Sequence, residues 1–295
     1  MSHSEEKKSL MSVIQMTSSE SISDNLKQAE ALIVEAVSAG ARLVALPETF
    51  ALMPKHHSMR LEATETLGDG QMQNWMSRVS QENQCWIVGG TIASKSADGQ
   101  RPFATCLIYD DQGLVRGQYQ KIHLFDASLK QGESFRESSF TSPGNSPLVI
   151  DSPFGRLGVI VCYDVRFPEL VRIMAQSGMD YLFIPSAFSV PTGIAHWELL
   201  LRARAVENQC YVIAPAQCGK HENGRTSYGH SMIIDPWGRV LASLENEQGV
   251  LTVDVDKSRI QEVSNQLPID QHRRFNLDNM VLTSQNTINS SKENC

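Results

Sequence analysis

The 295-residue chain is 41% apolar and 20% charged, a balance that supports a sizeable globular core, and its formal net charge is -7. Lys and Arg are scattered, which excludes a basic face for nucleic acid or anionic lipid, and no run approaches the roughly 18 consecutive apolar residues of a membrane helix. The opening MSHSEEKKSLMSVIQM lacks the apolar segment of a secretory signal, so a cytoplasmic protein is expected, with neither nucleic acid nor membrane as a partner.

Residues 1–10 read as a short polar segment, and MSVIQM (11–16) predicts a strand. Ser23 and Asp24 offer caps for a helix in which Leu26, Ala29, Ile33, Ala36 and Val37 recur at helical spacing until Gly40, and LVAL (43–46) predicts the next strand. A helical pattern over 71–84 leads into CWIVGGTI (85–92), a buried strand. ATCLIYD and LVRGQYQK then flank the turn signal DDQG as the arms of a hairpin, which makes the sheet mixed.

Beyond a loop rich in Ser, Pro and Gly (138–147), strand LGVIVC, helix PELVRIMAQSG, strand YLFIP, helix AHWELLLRARAVEN and strand CYVIA alternate. SMIID, a PWG turn, VLAS, VLTVDVD and a helix around 256–266 follow. Similar α/β units lie on both sides of the loop, so 11–275 is expected to be one domain and the polar stretch 276–295 a disordered tail.

The six cysteines (Cys85, Cys106, Cys162, Cys210, Cys218, Cys295) form no CxxC pair and no Cys/His cluster at zinc spacing, so reduced thiols and no structural metal are expected. His56 and His57 have no further ligand spacing and read as loop.

Three apolar strands end in reactive side chains. GVIVCYDVRFPEL stops its strand at Cys162 and opens a helix near Pro168, and a thiol near a helix N-terminus feels a partial positive charge that favours thiolate. The local pattern leaves two readings open: a nucleophile, or a packed thiol beside a surface pair of Asp164 and Arg166. LVALPETF brings Glu48, and GQYQKIHLF brings Lys121, to strand ends, where ligand clefts form in α/β sheets. In one cleft they would relay protons and stabilise an oxyanion; as solvated caps they would do neither.

LPETF, YQKIHLF and GVIVCYDVRFPEL together resemble, in order, the three catalytic blocks of the nitrilase superfamily of carbon-nitrogen hydrolases, over about residues 11–275. The resemblance implies an α/β fold, a four-layer α-β-β-α sandwich with two mixed sheets, a homodimer packed through a helical face, and a Glu-Lys-Cys triad with no metal or organic cofactor. By motif, Glu48 is the general base, Lys121 the oxyanion stabiliser, Cys162 the nucleophile that forms a thioester, and Glu137 in FRES a support for the lysine. The backbone N–H of Tyr163 joins Lys121 at the oxyanion.

PSAFSVPTGIAHWELLLRARAVENQCYVIAPAQCG and SYGHSMIIDPWG most resemble the branch that includes deaminated glutathione amidase and ω-amidase. This implies hydrolysis of a terminal amide on a small carboxylated substrate, first of all deaminated glutathione, with release of ammonia. Ketoglutaramate, nitriles, aliphatic amides and N-carbamoyl amino acids are the alternatives, and a non-catalytic scaffold is disfavoured by the intact triad. In the family the segment after YLFIP lines the pocket, which nominates Phe188, Thr192 and His196 as substrate contacts. Their structural readings are a core aromatic, a turn residue and a helix start. Arg202 and Arg204 are set aside, since Glu198 stands at surface-pair spacing from Arg202. His272, Arg273 and Arg274 read as a solvated or interface segment.

Overall fold

LVAL is apolar throughout because neither face of its strand meets water. Leu43 and Ala45 enter one hydrophobic cluster and Val44 and Leu46 another, as the two-residue alternation of a strand requires. Trp86 and Val88 are divided from Ile87 in the same way. The computed structural model describes residues 9–96, 99–128 and 134–274.

The first sheet has the order Gly249–Val255, Ser9–Gln15, Leu43–Leu46, Trp86–Gly89, Phe103–Tyr109, Ile92–Ser94, and Val115–Gln120 also pairs with Phe103–Tyr109. Its central strands are parallel and the others antiparallel. The second sheet has the order Val240–Ser243, Met232–Ile234, Tyr211–Ala214, Tyr181–Phe183, Gly155–Val159, Leu148–Ser152, again with a parallel centre.

Helices Ile22–Ser38 and Gln71–Asn83 cover the outer face of the first sheet through Leu26, Ala29, Ile33, Met72 and Met76. The other cluster joins the inner faces of both sheets and takes in Leu170 and Met174 of helix Pro168–Gln176 and Trp197 and Leu201 of helix Val190–Asn208. The architecture is a four-layer α-β-β-α sandwich with two mixed sheets. Among the described residues no helix is long and apolar enough to cross a membrane.

Several boundaries differ from the sequence reading. The first strand begins at Ser9, because Ser9 and Leu10 pair with Val255 and Asp254, so the polar segment ends earlier than residue 10. The run 85–92 breaks at Gly90, whose φ is +52° and whose added Cβ would lie 2.1 Å from the Pro47 carbonyl oxygen. The helix expected from Ala195 starts at Val190, with a proline in its first turn. The stretch 276–295, Cys295 and the first eight residues lie outside the described residues.

Candidate active site

Two of the three strand ends are held in unusual backbone. Thr49, directly after Glu48, has φ +55°, and Cys162, which heads the 3-10 turn Cys162–Arg166, has φ +48°. A side chain in the left-handed region costs on the order of 1–3 kcal/mol and persists where the surroundings enforce it. Here Thr49 N donates to Thr91 Oγ1 at 2.9 Å and Cys162 N to the Pro185 carbonyl at 3.0 Å. Gln217 Nε2 donates to the Glu48 carbonyl at 3.0 Å and to Ser18 Oγ at 2.8 Å, tying the glutamate's turn to the core.

Lys121 continues from strand Val115–Gln120 into the same place. Its Nζ donates to Glu48 Oε1 at 2.8 Å and to Glu137 Oε1 and Oε2 at 3.0 and 2.9 Å. The side chains of Lys121, Glu48 and Glu137 are 2%, 8% and 11% exposed. Glu137 is oriented in turn by the Phe125 N–H, which donates to its Oε2 at 2.7 Å. Burial by itself would depress the lysine, but Glu137 and Glu48 together outweigh it and hold its ammonium well above the ordinary value.

Cys162 is pushed well above the ordinary thiol range, first by burial and then by the Glu48 carboxylate, while Lys121 and the Ala187 backbone act the other way. The expected thiolate-favouring effect of the helix is overturned: helix Pro168–Gln176 begins beyond the 3-10 turn, and a dipole falls off within its first turn. Cys162 therefore rests as a thiol beside the Glu48 carboxylate.

The pairing of Asp164 with Arg166 is also absent. Asp164 is fully buried and accepts from Val161 N (2.9 Å), Tyr119 Oη (2.7 Å) and His123 N (2.8 Å), with His123 Nδ1 also at 2.8 Å. The guanidinium of Arg166 lies 5.7 Å from the Tyr163 ring centroid and 5.4 Å from that of Phe188. Tyr163 follows Cys162 directly, its ring packed between Phe125 and Phe167.

Glu48, Lys121, Glu137 and Cys162 line a single cavity of about 360 Å³. Phe188, Thr192 and His196 do not. Phe188 is 5% exposed and packs on Trp197 with centroids 4.7 Å apart, Thr192 Oγ1 bonds within its own helix start to Ser189, and His196 Nδ1 faces Arg166. Their neighbours Ser189, Val190 and Pro191 line the cavity instead. The early start of the helix is the cause, and Pro191 was its signal.

The sequence reading also missed Arg60, Arg136 and Arg225, which line the cavity with Phe125, Phe135 and Phe140. Phe135 and Arg136 immediately precede the predicted Glu137 and were within reach of that motif; Arg60 sits on a short helix and Arg225 in a turn, neither with a periodic pattern. Of the arginines set aside, Arg202 does form an exposed pair with Glu198 at 3.1 Å, and Arg204 is a buried tie to the Val165 carbonyl and Glu207. Among the described residues no group of three or more His, Cys, Asp or Glu could hold a metal ion.

A sequence model of the carbon-nitrogen hydrolase family matches residues 10–265. The chain is 39% identical over 277 residues to "Deaminated glutathione amidase" of Rattus norvegicus, covering 92% of this chain and 84% of the rat protein. It is 39% identical over 269 residues to the protein of the same name from Synechocystis sp., covering 90% and 98%. Among solved structures, the crystal structure of the Caenorhabditis elegans NitFhit protein matches with a TM-score of 0.84 at 37% identity, over 90% of this chain and 65% of that longer one.

Proposed function

The chain belongs to the carbon-nitrogen hydrolase family, hydrolases of carbon–nitrogen bonds other than peptide bonds, and from that premise we propose that it is an amidase working through a Cys162 thioester. The observation that carries this reading is Lys121 bridging Glu48 and Glu137 beside a buried, protonated Cys162.

In the proposed cycle Glu48 accepts the Cys162 proton as Sγ attacks the amide carbon, and Lys121 with the Tyr163 backbone N–H holds the oxyanion. Glu48 returns the proton to the departing nitrogen, leaving the acyl thioester. It then takes a proton from a water whose oxygen attacks the thioester, and that proton goes back to sulfur as the acid leaves. Glu137 keeps Lys121 in place while Glu48 changes partners.

The names of the relatives support deaminated glutathione as the substrate. In that molecule the acyl carbon is bonded to the nitrogen of cysteinylglycine, so cysteinylglycine and 2-oxoglutarate are its products. Ammonia, the product expected from the sequence, leaves from a primary amide such as ketoglutaramate, the alternative substrate. Purified protein is expected to hydrolyse deaminated glutathione with a higher kcat/KM than ketoglutaramate, and Cys162→Ala to turn over neither. Full activity in that variant would end the proposal.

A homodimer is supported by the outer side of helix Val190–Asn208, where Ile194, Leu199 and Val206 are 71%, 67% and 41% exposed, with the 52% exposed Trp237 on the turn that Arg202 of that helix holds through the Gly238 carbonyl. A cluster of exposed large apolar side chains marks an interaction surface, and a second copy offers the same surface in return. The five described cysteines are unpaired and buried, which supports a reducing, cytoplasmic setting.

A further inference from the structure

The cavity that holds Cys162 carries more positive charge than the proposed chemistry uses. Lys121 is committed to two carboxylates. Arg60, Arg136 and Arg225 line the same cavity, so four cations face two carboxylates in a protein of net charge -7. Arg136 stands opposite Asp126 across the ribbon of Asp126–Ser128 and Ser134–Arg136, and it is among the groups that hold Asp126 low. Arg60 and Arg225 enter no ion pair among the described residues.

These two come from separate parts of the chain, Arg60 from the short helix His57–Glu62 and Arg225 from the turn between Cys218–Lys220 and Thr226–Tyr228. They are close enough for Arg225 to act on Arg60. Burial chiefly lowers the Arg60 guanidinium, Arg225 adds to that, and Glu137 and Glu48 oppose it. Each lies over a ring of the cavity wall, Arg60 at 5.7 Å from the Phe140 centroid and Arg225 at 5.6 Å from that of Phe135. The Nε of Arg60 is buried and makes no hydrogen bond. A buried donor without an acceptor and two like charges lining one pocket are both relieved by one bound carboxylate.

We propose that Arg60 and Arg225 clamp the carboxylate at the far end of the substrate's acyl chain, so that the enzyme selects amides of 2-oxo diacids over neutral amides. The assignment rests on the amidase reading for its role in turnover, but the binding step stands apart from it. The aromatic walls suit the methylene chain between the held carboxylate and the carbonyl presented to Cys162.

2-Oxoglutarate is the probe, because it has the acyl chain and both carboxylates but no scissile bond. Titrated by calorimetry into the Cys162→Ala protein, it is expected to bind, and adding Arg60→Met or Arg225→Met weakens binding by roughly tenfold to a hundredfold, the scale of a charge-assisted hydrogen-bonded contact. In the Cys162 enzyme the ratio of kcat/KM for ketoglutaramate to that for butyramide falls by a similar factor in either variant, with Arg60→Lys in between.

Unchanged binding and an unchanged ratio in both variants overturn the clamp. If Arg60→Met fails to fold, the exposed Arg225→Met carries the test alone, with thermal melting as the check on folding. Amide turnover with an unaltered carboxylate preference sinks the clamp and spares the amidase reading. Arg60-dependent binding of 2-oxoglutarate without turnover of any amide does the reverse.

Discussion

Cys162 holds its proton because burial disfavours the charged form and the adjacent Glu48 carboxylate is negative. Burial ranks first and the Glu48 carboxylate second among the causes, and both disfavour a thiolate. Alkylation of Cys162 by iodoacetamide is expected to rise with pH from 7 to 9 without levelling, because the thiolate fraction is still growing there. Glu48→Gln removes the charge while leaving Lys121 nearby, so alkylation at pH 7 becomes faster than in the unmodified protein. Hydrolysis falls in the same variant by roughly 10²–10⁴-fold, the usual contribution of general acid–base catalysis. A plateau below pH 8 in the unmodified protein, measured by intact mass against time, would contradict this account. Glu48, Lys121 and Cys162 were legible as chemistry at strand ends, and Glu137 only through the family motif. Their meeting was not, since Glu48 and Lys121 are 73 positions apart.

At the scale of elements, Asp164 sets the register between the turn that carries Cys162 and the segment that carries Lys121. Tyr119 and His123, which bond to it, stand on either side of Lys121 in sequence, and Val161 immediately precedes Cys162. Asp164→Asn keeps the volume but replaces one acceptor oxygen by an NH2 group that meets donors. At least one buried donor loses its partner, a cost of about 1–3 kcal/mol. Urea unfolding is expected to show that loss and kcat to fall with it; unchanged stability would mean that the two elements are registered by packing alone. Element types were largely readable, because period-two and helical patterns report local burial. Helix Val190–Asn208 began earlier than its clearest pattern, and this displaced Phe188, Thr192 and His196 from the pocket in favour of Ser189, Val190 and Pro191.

At the scale of the whole molecule, two sheets share one inner core, and the late strand Gly249–Val255 pairs with the first strand, Ser9–Gln15. The proposed homodimer puts helix Val190–Asn208 at its interface. Leu199→Glu is therefore expected to shift light scattering from the mass of two chains towards that of one, and a mass of one chain for the unmodified protein would refute the dimer. The order of strands and helices, the reactive residues at strand ends and the low density of basic charge were determined by sequence alone, because propensity, periodicity and composition are local or additive. The protonation of Cys162, the bridging of two glutamates by Lys121 and the convergence of Arg60 with Arg225 were decided only by tertiary structure. Each depends on desolvation and on charges that distant segments bring within a few ångströms, quantities that have no counterpart along the chain.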